Sequence, residues 1–180
     1  MKNYFVIHGS FGDNKEHWIP WLQQQIKNKG YDCYAITFPI GKDIQTYDSW
    51  SRELDRYKDK INSDTIFIAR SIGAIFVVKY ILLNNLKIKK LISISGFNCF
   101  IDVPDYDYVN KTFFLKKIKG FEKRCSQRIC IFSDNDPYVP YYLLDMFPYN
   151  IKAKRLFIAG GGHFNCESGY KKFELLLKLI

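Results

Sequence analysis

The chain has 180 residues, 47% of them hydrophobic and 25% charged, which suits one folded domain with a substantial core and excludes an intrinsically disordered segment. Its net charge of +9 rests on 21 Lys against 6 Arg. The lysines are scattered and Arg, the usual reader of bases and phosphates, is scarce, so no nucleic-acid partner is expected; no apolar run is long enough to span a membrane either.

The first strand-like run, Tyr4–Ile7, begins close to Met1, so no export leader is expected. The loop His8-Gly9-Ser10-Phe11-Gly12 follows it. Trp18, Leu22 and Ile26 then recur every four residues, the period of one helix face. His17 is read as the start of that helix. A second strand spans Cys33–Phe38, and Trp50, Leu54, Tyr57 and Ile61 give a second helical period. Thr65–Ala69 is a third strand, followed at once by an apolar helical stretch from Ile72 to Leu83. Further strands are expected at Lys90–Ser95, Arg128–Ser133 and Ala153–Ile158. Between the fourth and fifth lies an irregular segment, 97–127, which is a candidate small cap. Within it Lys116, Lys117, Lys119 and Lys123 interleave with Phe113, Phe114, Leu115 and Ile118, a pattern read as an amphipathic helix over 111–123 with snorkelling lysines. A last helix follows Gly169, with Phe173, Leu176, Leu177 and Ile180 on one face. This alternation predicts a three-layer α/β/α fold: a mostly parallel sheet of about six strands with helices on both faces, in one domain spanning 1–180.

The point of chemical interest is Ser71. It sits between a strand and a buried helix, with small residues, Ala69 and Gly73, two positions to either side. A tight strand–serine–helix turn needs that smallness, and it projects the hydroxyl from the C-terminal edge of the sheet. A serine hydroxyl needs a base in reach, and the base needs an orienting acid. Ser133-Asp134-Asn135-Asp136-Pro137 follows the fifth strand, and Gly160-Gly161-Gly162-His163 follows the sixth. Ser71, an aspartate from this loop and His163 therefore share one sheet edge. The Pro-Tyr-Val-Pro run after Asp136 rigidifies it and favours it as the acid, whereas Asp134 is suited to capping the turn. The three glycines are read as a flexible loop that lets the imidazole approach Ser71.

Backbone N–H groups of Ser10 and Ile72 are the expected oxyanion donors, with Phe11 N–H as the fallback. His8, Gly9, Phe11 and Arg70 flank these loops as candidate substrate contacts. Trp18, Trp21 and Trp50 are read as core residues, Trp18 being the one with a case for touching substrate. Five cysteines without a Cys-x-x-Cys pair suit free thiols in a reducing cytoplasm. His163 and Cys166 are the one close pair of metal-ligating type and do not make a metal site. The loop after the first strand lacks the third glycine of a dinucleotide fingerprint.

The stretches Val6-Ile7-His8-Gly9-Ser10, His17-Trp18-Ile19-Pro20-Trp21-Leu22, Ala69-Arg70-Ser71-Ile72-Gly73, Ser95-Gly96-Phe97, Ser133 to Pro140 and Gly161-Gly162-His163-Phe164 run in order through nearly the whole chain. Together they resemble the small single-domain serine hydrolases of the α/β-hydrolase superfamily, typified by retinoblastoma-binding protein nine and its bacterial relatives. The resemblance implies an α/β-hydrolase fold without a large lid, with Ser71 as nucleophile, Asp136 as acid and His163 as base. Arg70 departs from it, since a histidine is usual there. The expected activity is hydrolysis of a small ester or amide substrate, with no cofactor. The alternative is a non-catalytic binding protein on the same scaffold.

Overall fold

Six short runs rich in β-branched and aromatic residues form strands: β1 (Asn3–Ile7), β2 (Asp32–Ile36), β3 (Ile66–Arg70), β4 (Ile88–Ile94), β5 (Cys125–Phe132) and β6 (Lys154–Phe157). In the computed structural model, which describes residues 2–180, they lie in the order β2-β1-β3-β4-β5-β6, and every neighbouring pair is parallel. Parallel strands need crossovers, supplied by α1 (Ile19–Asn28), α2 (Tyr47–Asp55), α3 (Ile72–Leu83), α4 (Pro104–Asn110) and α5 (Tyr141–Asn150), with α6 (Leu175–Leu179) closing the chain. This is the three-layer α/β arrangement of the α/β hydrolases.

Residues alternate between two cores, one on each face of the sheet. Phe5, Ile7, Phe67, Ala69 and Leu91 point to the face covered by α2, α3 and α5, where Trp50, Phe76 and Phe147 are buried. Tyr4, Val6, Ile66, Ile68 and Ile92 point to the other, where Trp18, Leu22, Ile26 and Leu176 pack. The central strands β1 and β3 are buried at every position. α3 follows β3 with a single residue between and is buried over nearly its whole circumference.

Two local expectations fail. Residues 111–123 are not a helix: they form turns, with one 3-10 turn at Phe121–Lys123 entered through Gly120 at φ 79. Tertiary contacts have taken the groups a helix would use. The Asn98 amide binds both the N–H and the C=O of Leu115, at 2.8 and 2.9 Å, and Lys79 Nζ donates to the Thr112 carbonyl at 2.6 Å. Helix forms upstream instead, in α4. There Pro104 occupies the first turn and the Asp107 carboxylate accepts from Ile101 N–H at 3.0 Å and Val103 N–H at 3.2 Å. The second helical period also outlasts its helix: α2 ends at Asp55, so Tyr57 and Ile61 lie beyond it. No helix among the described residues is long and apolar enough to cross a membrane.

The strand order reverses direction between β1 and β3: β2 lies beyond β1, and β4 to β6 lie beyond β3. Such a switch point opens a crevice at the carboxyl ends of the two strands, where open α/β sheets hold ligands.

Candidate active site

β3 ends at Arg70 and α3 starts at Ile72, so Ser71 alone makes the turn, with φ 53 and ψ −128. That strained conformation stands because its surroundings allow no other. Ser71 N–H donates to the Ile94 carbonyl at 2.8 Å. A Cβ on Gly73 would lie 2.4 Å from the His8 carbonyl oxygen, and one on Gly9 would lie 3.0 Å from Ser71 Cβ. The chain can bring the first loop against the start of α3 only with glycine at these positions.

His163 and Asp136 meet as the loop order predicts. His163 Nδ1–H donates to Asp136 Oδ2 at 2.6 Å. The His163 side chain is 6% exposed and that of Asp136 is 0% exposed. Asp136 Oδ1 accepts from the N–H groups of Tyr138 and Val139, at 3.0 and 3.1 Å. Burial pushes the Asp136 carboxyl up, but the His163 hydrogen bond and charge and these two N–H donors outweigh it and hold its pKa below the usual value. Burial pulls the His163 imidazole down, and Asp136 opposes this without overcoming it. Nε2 of a neutral His163 is left free to accept a proton.

Every residue from 133 to 136 holds the histidine loop. Ser133 Oγ donates to the Gly162 carbonyl at 2.5 Å, Asp134 Oδ1 accepts from Gly160 N–H at 2.8 Å, and Asn135 Oδ1 accepts from Gly162 N–H at 2.7 Å. Asp134 thus binds the neighbouring loop rather than its own turn. The glycines serve fit, not flexibility: Gly160 and Gly162 have φ of 71 and 56, and a Cβ on Gly161 would lie 2.5 Å from the Phe164 ring. The next residues anchor to α1, where Trp18 Nε1 donates to the Phe164 carbonyl at 2.9 Å. Trp18 is 0% exposed, so it is core and does not reach the cavity.

Ser71 and His163 line one cavity of ≈ 570 Å³. No hydrogen bond joins Ser71 Oγ to His163 Nε2 here; such bonds are often long in unliganded sites and tighten on binding. Gly9, Ser10, Phe11 and Arg70 line the same cavity. Gln45 and Asn110, both buried, brace the first loop. Ser10 Oγ donates to Asn110 Oδ1 at 3.0 Å and accepts from Gln45 Nε2 at 2.6 Å. Gln45 Oε1 accepts from Phe11 N–H at 3.0 Å, which takes the fallback donor out of use. Ser10 N–H and Ile72 N–H have no partner among the described residues.

His8 does not line the cavity. It is 1% exposed, its Nδ1–H donates to the Gly9 carbonyl at 2.7 Å, and its Nε2 accepts from Phe38 N–H at 3.1 Å. Burial drives its pKa down to about 4, so it is a neutral brace under the first loop. His17 moves the opposite way. It precedes α1 at φ 56 and lines the cavity, with Nδ1 accepting from Cys166 N–H at 3.1 Å. Burial, then Arg70 and His163, lower its pKa to about 4.

Segment 97–127 contributes Ile101, Val103 and Tyr106 to the cavity wall. The Tyr106 hydroxyl faces those of Ser71 and Ser10, and burial pushes its pKa up to about 12. Sequence patterning gave no sign of Tyr106 or His17. A Tyr/Asp run in an irregular segment and a histidine beside a helix are both common on surfaces.

Among the described residues no group of three His, Cys, Asp or Glu could hold a metal ion. All five cysteines are free.

The model of a family described as serine hydrolase matches residues 4–180. YdeN of Bacillus subtilis (strain 168) is 23% identical over 185 residues, covering 99% of this chain and 94% of its own. The solved structure of the Bacillus subtilis ydeN product superposes with a TM-score of 0.86 at 21% identity, covering 99% of this chain and 96% of that one. Est1E from Butyrivibrio proteoclasticus, solved with ferulic acid bound, gives 0.71 at 19% identity, covering 99% and 89%. A family match over almost the full length shows that the chain belongs to the serine hydrolase family, and the solved structures share its α/β-hydrolase fold.

Proposed function

We propose that the protein hydrolyses a small ester or amide through an acyl-enzyme on Ser71. The observation that carries this is the buried Asp136–His163 hydrogen bond of 2.6 Å, on a cavity that also holds Ser71 in its strained turn.

His163 Nε2 takes the Ser71 proton as Oγ attacks the substrate carbonyl carbon. The developing oxyanion is held by the N–H groups of Ser10 and Ile72, both without other partners. His163 then gives the proton to the leaving alcohol or amine as the C–O or C–N bond breaks. A water molecule attacks the acyl-enzyme, with His163 taking its proton and returning one to Ser71 as the acid leaves. Asp136 keeps the imidazole in the tautomer this requires and stabilises its charged form. Free cysteines suit a reducing compartment and support a cytoplasmic setting.

Ser71→Ala is the test. Hydrolysis of 4-nitrophenyl butyrate falls to the uncatalysed rate, and a fluorophosphonate probe labels the wild type at Ser71 alone. Unchanged hydrolysis in the variant, or no labelling of the wild type, overturns the assignment and leaves a binding protein on a hydrolase scaffold.

A further inference from the structure

Arg70 is the last residue of β3 and the neighbour of Ser71, and it is 6% exposed. It lines the cavity, yet among the described residues its side chain makes no hydrogen bond and no ion pair, and its Nε is fully buried without a partner. Its Nη2 lies against the first loop, 3.5 Å from where a Cβ would stand on Gly9 or Gly12. A guanidinium cannot shed its charge at any ordinary pH, and an isolated buried charge is among the costliest arrangements in a protein.

Glu16 and Asp136 are the carboxylates whose charges favour the Arg70 cation, and among the described residues neither forms an ion pair with it. Asp136 is committed to His163 and to two backbone N–H groups. Glu16 is exposed, with Oε2 3.6 Å from His17 Nε2. Glu167 is exposed and pairs with Tyr138 and Asn165. Among the described residues Arg70 is the only Lys or Arg on the cavity wall, and Glu16 and Glu167 line the same cavity.

We propose that the natural substrate carries a carboxylate that Arg70 binds a few bonds from the scissile carbonyl. The planar fork of Arg fits a carboxylate with two parallel hydrogen bonds. A single fixed positive charge suits a monoanion, and the two glutamates disfavour a more highly charged phosphate. The proposal rests on Ser71 being the nucleophile, since that fixes where the carbonyl lies. The carboxylate belongs either to the acyl part or to the leaving group.

Two substrate pairs separate these sources: monomethyl succinate against methyl butyrate for the acyl side, and 3-acetoxybenzoate against phenyl acetate for the leaving group. In one pair the wild type prefers the anion by about tenfold or more in kcat/KM, the scale of a charge-assisted hydrogen bond. Arg70→Gln lowers that charged-to-neutral ratio at least tenfold, and Arg70→Lys restores part of it. A wild-type ratio at or below one in both pairs overturns the proposal, as does an unchanged ratio in Arg70→Gln. Should Arg70→Gln fail to fold, the wild-type ratios decide. Binding to Ser71→Ala, measured by calorimetry with monomethyl succinate, methyl butyrate, 3-acetoxybenzoate and phenyl acetate, needs no turnover. Preference for either anion there, with no ester hydrolysed by the wild type, supports the Arg70 site while sinking the nucleophile assignment. Equal binding within both pairs overturns the Arg70 site itself.

Discussion

Replacing Asp136 by Asn exchanges one carboxylate oxygen for an NH2 group and leaves the shape of the side chain intact. The structure dictates which oxygen changes. Oδ1 accepts from Tyr138 N–H at 3.0 Å and Val139 N–H at 3.1 Å, so the amide oxygen must stay at that end. The NH2 then faces His163 Nδ1, where Oδ2 stood at 2.6 Å. Two N–H donors cannot meet at that distance, so His163 must move its proton to Nε2. That nitrogen can then no longer accept the Ser71 proton. Flipping the amide would set its NH2 against both N–H donors and strip the part-buried Val139 N–H of its acceptor, at about 1–3 kcal/mol. The wrong tautomer is therefore favoured, and kcat/KM falls by about 10³–10⁴, roughly 4–5.5 kcal/mol of transition-state stabilisation. The assay is initial rates on 4-nitrophenyl butyrate at pH 7, with the urea midpoint measured alongside to show a folded variant. A folded Asp136→Asn that loses less than about tenfold would falsify the orienting role. So would an equal loss in Asp134→Asn, which changes only the acceptor for Gly160 N–H.

The remaining predictions concern stability. In Gly73→Ala the new Cβ would sit 2.4 Å from the His8 carbonyl oxygen, a backbone atom, and the strain exceeds the helix-propensity gain, for a net loss of about 1–3 kcal/mol. In Gly120→Ala the Cβ meets nothing within 4 Å and only φ 79 is strained, costing about 1 kcal/mol. Urea midpoints compare the two, and a Gly73→Ala no less stable than Gly120→Ala rejects the close-approach argument. His8 is held near a pKa of 4 against 6.5 in the unfolded chain. The unfolded state binds more protons between those values, so stability is full above pH 6.5 and drops by about 2–3 kcal/mol on reaching pH 4.5 from this group alone. Unfolding followed at pH 7 and pH 4.5 in wild type and His8→Asn isolates the effect, and equal acid sensitivity in both would show that His8 is not the source.

The strands and the order of the site loops were legible because each is local. Apolar runs such as Ile66–Ile68 mark the strands, Ser71 directly follows one, and Asp136 and His163 stand in the loops that follow two others. What escaped the sequence depends on partners far along the chain. Ser10 meets Asn110 across 100 residues and Trp18 meets Phe164 across 146, so neither bracing could be read from a window of residues. The basic stretch 111–123 has a helical pattern of charges, but one side chain, Asn98, satisfies Leu115 and removes the reason to coil. The glycines before His163 suggested freedom, whereas sterics and hydrogen bonds from residues 133 to 135 give them a fixed shape.

β6 is the rim of the sheet, four residues long with only Leu156 shielded even in part. His163 lies in the loop that follows this strand, while Ser71 follows a strand buried at every position. The proposed nucleophile and base are therefore mounted on the best and the least protected parts of one scaffold. What keeps them in register is the set of side-chain clasps from the neighbouring loop. Warming or mild denaturant peels an exposed rim before it opens a core. For the proposed pair, those few clasps set the working lifetime, which is expected to be shorter than the lifetime of the fold.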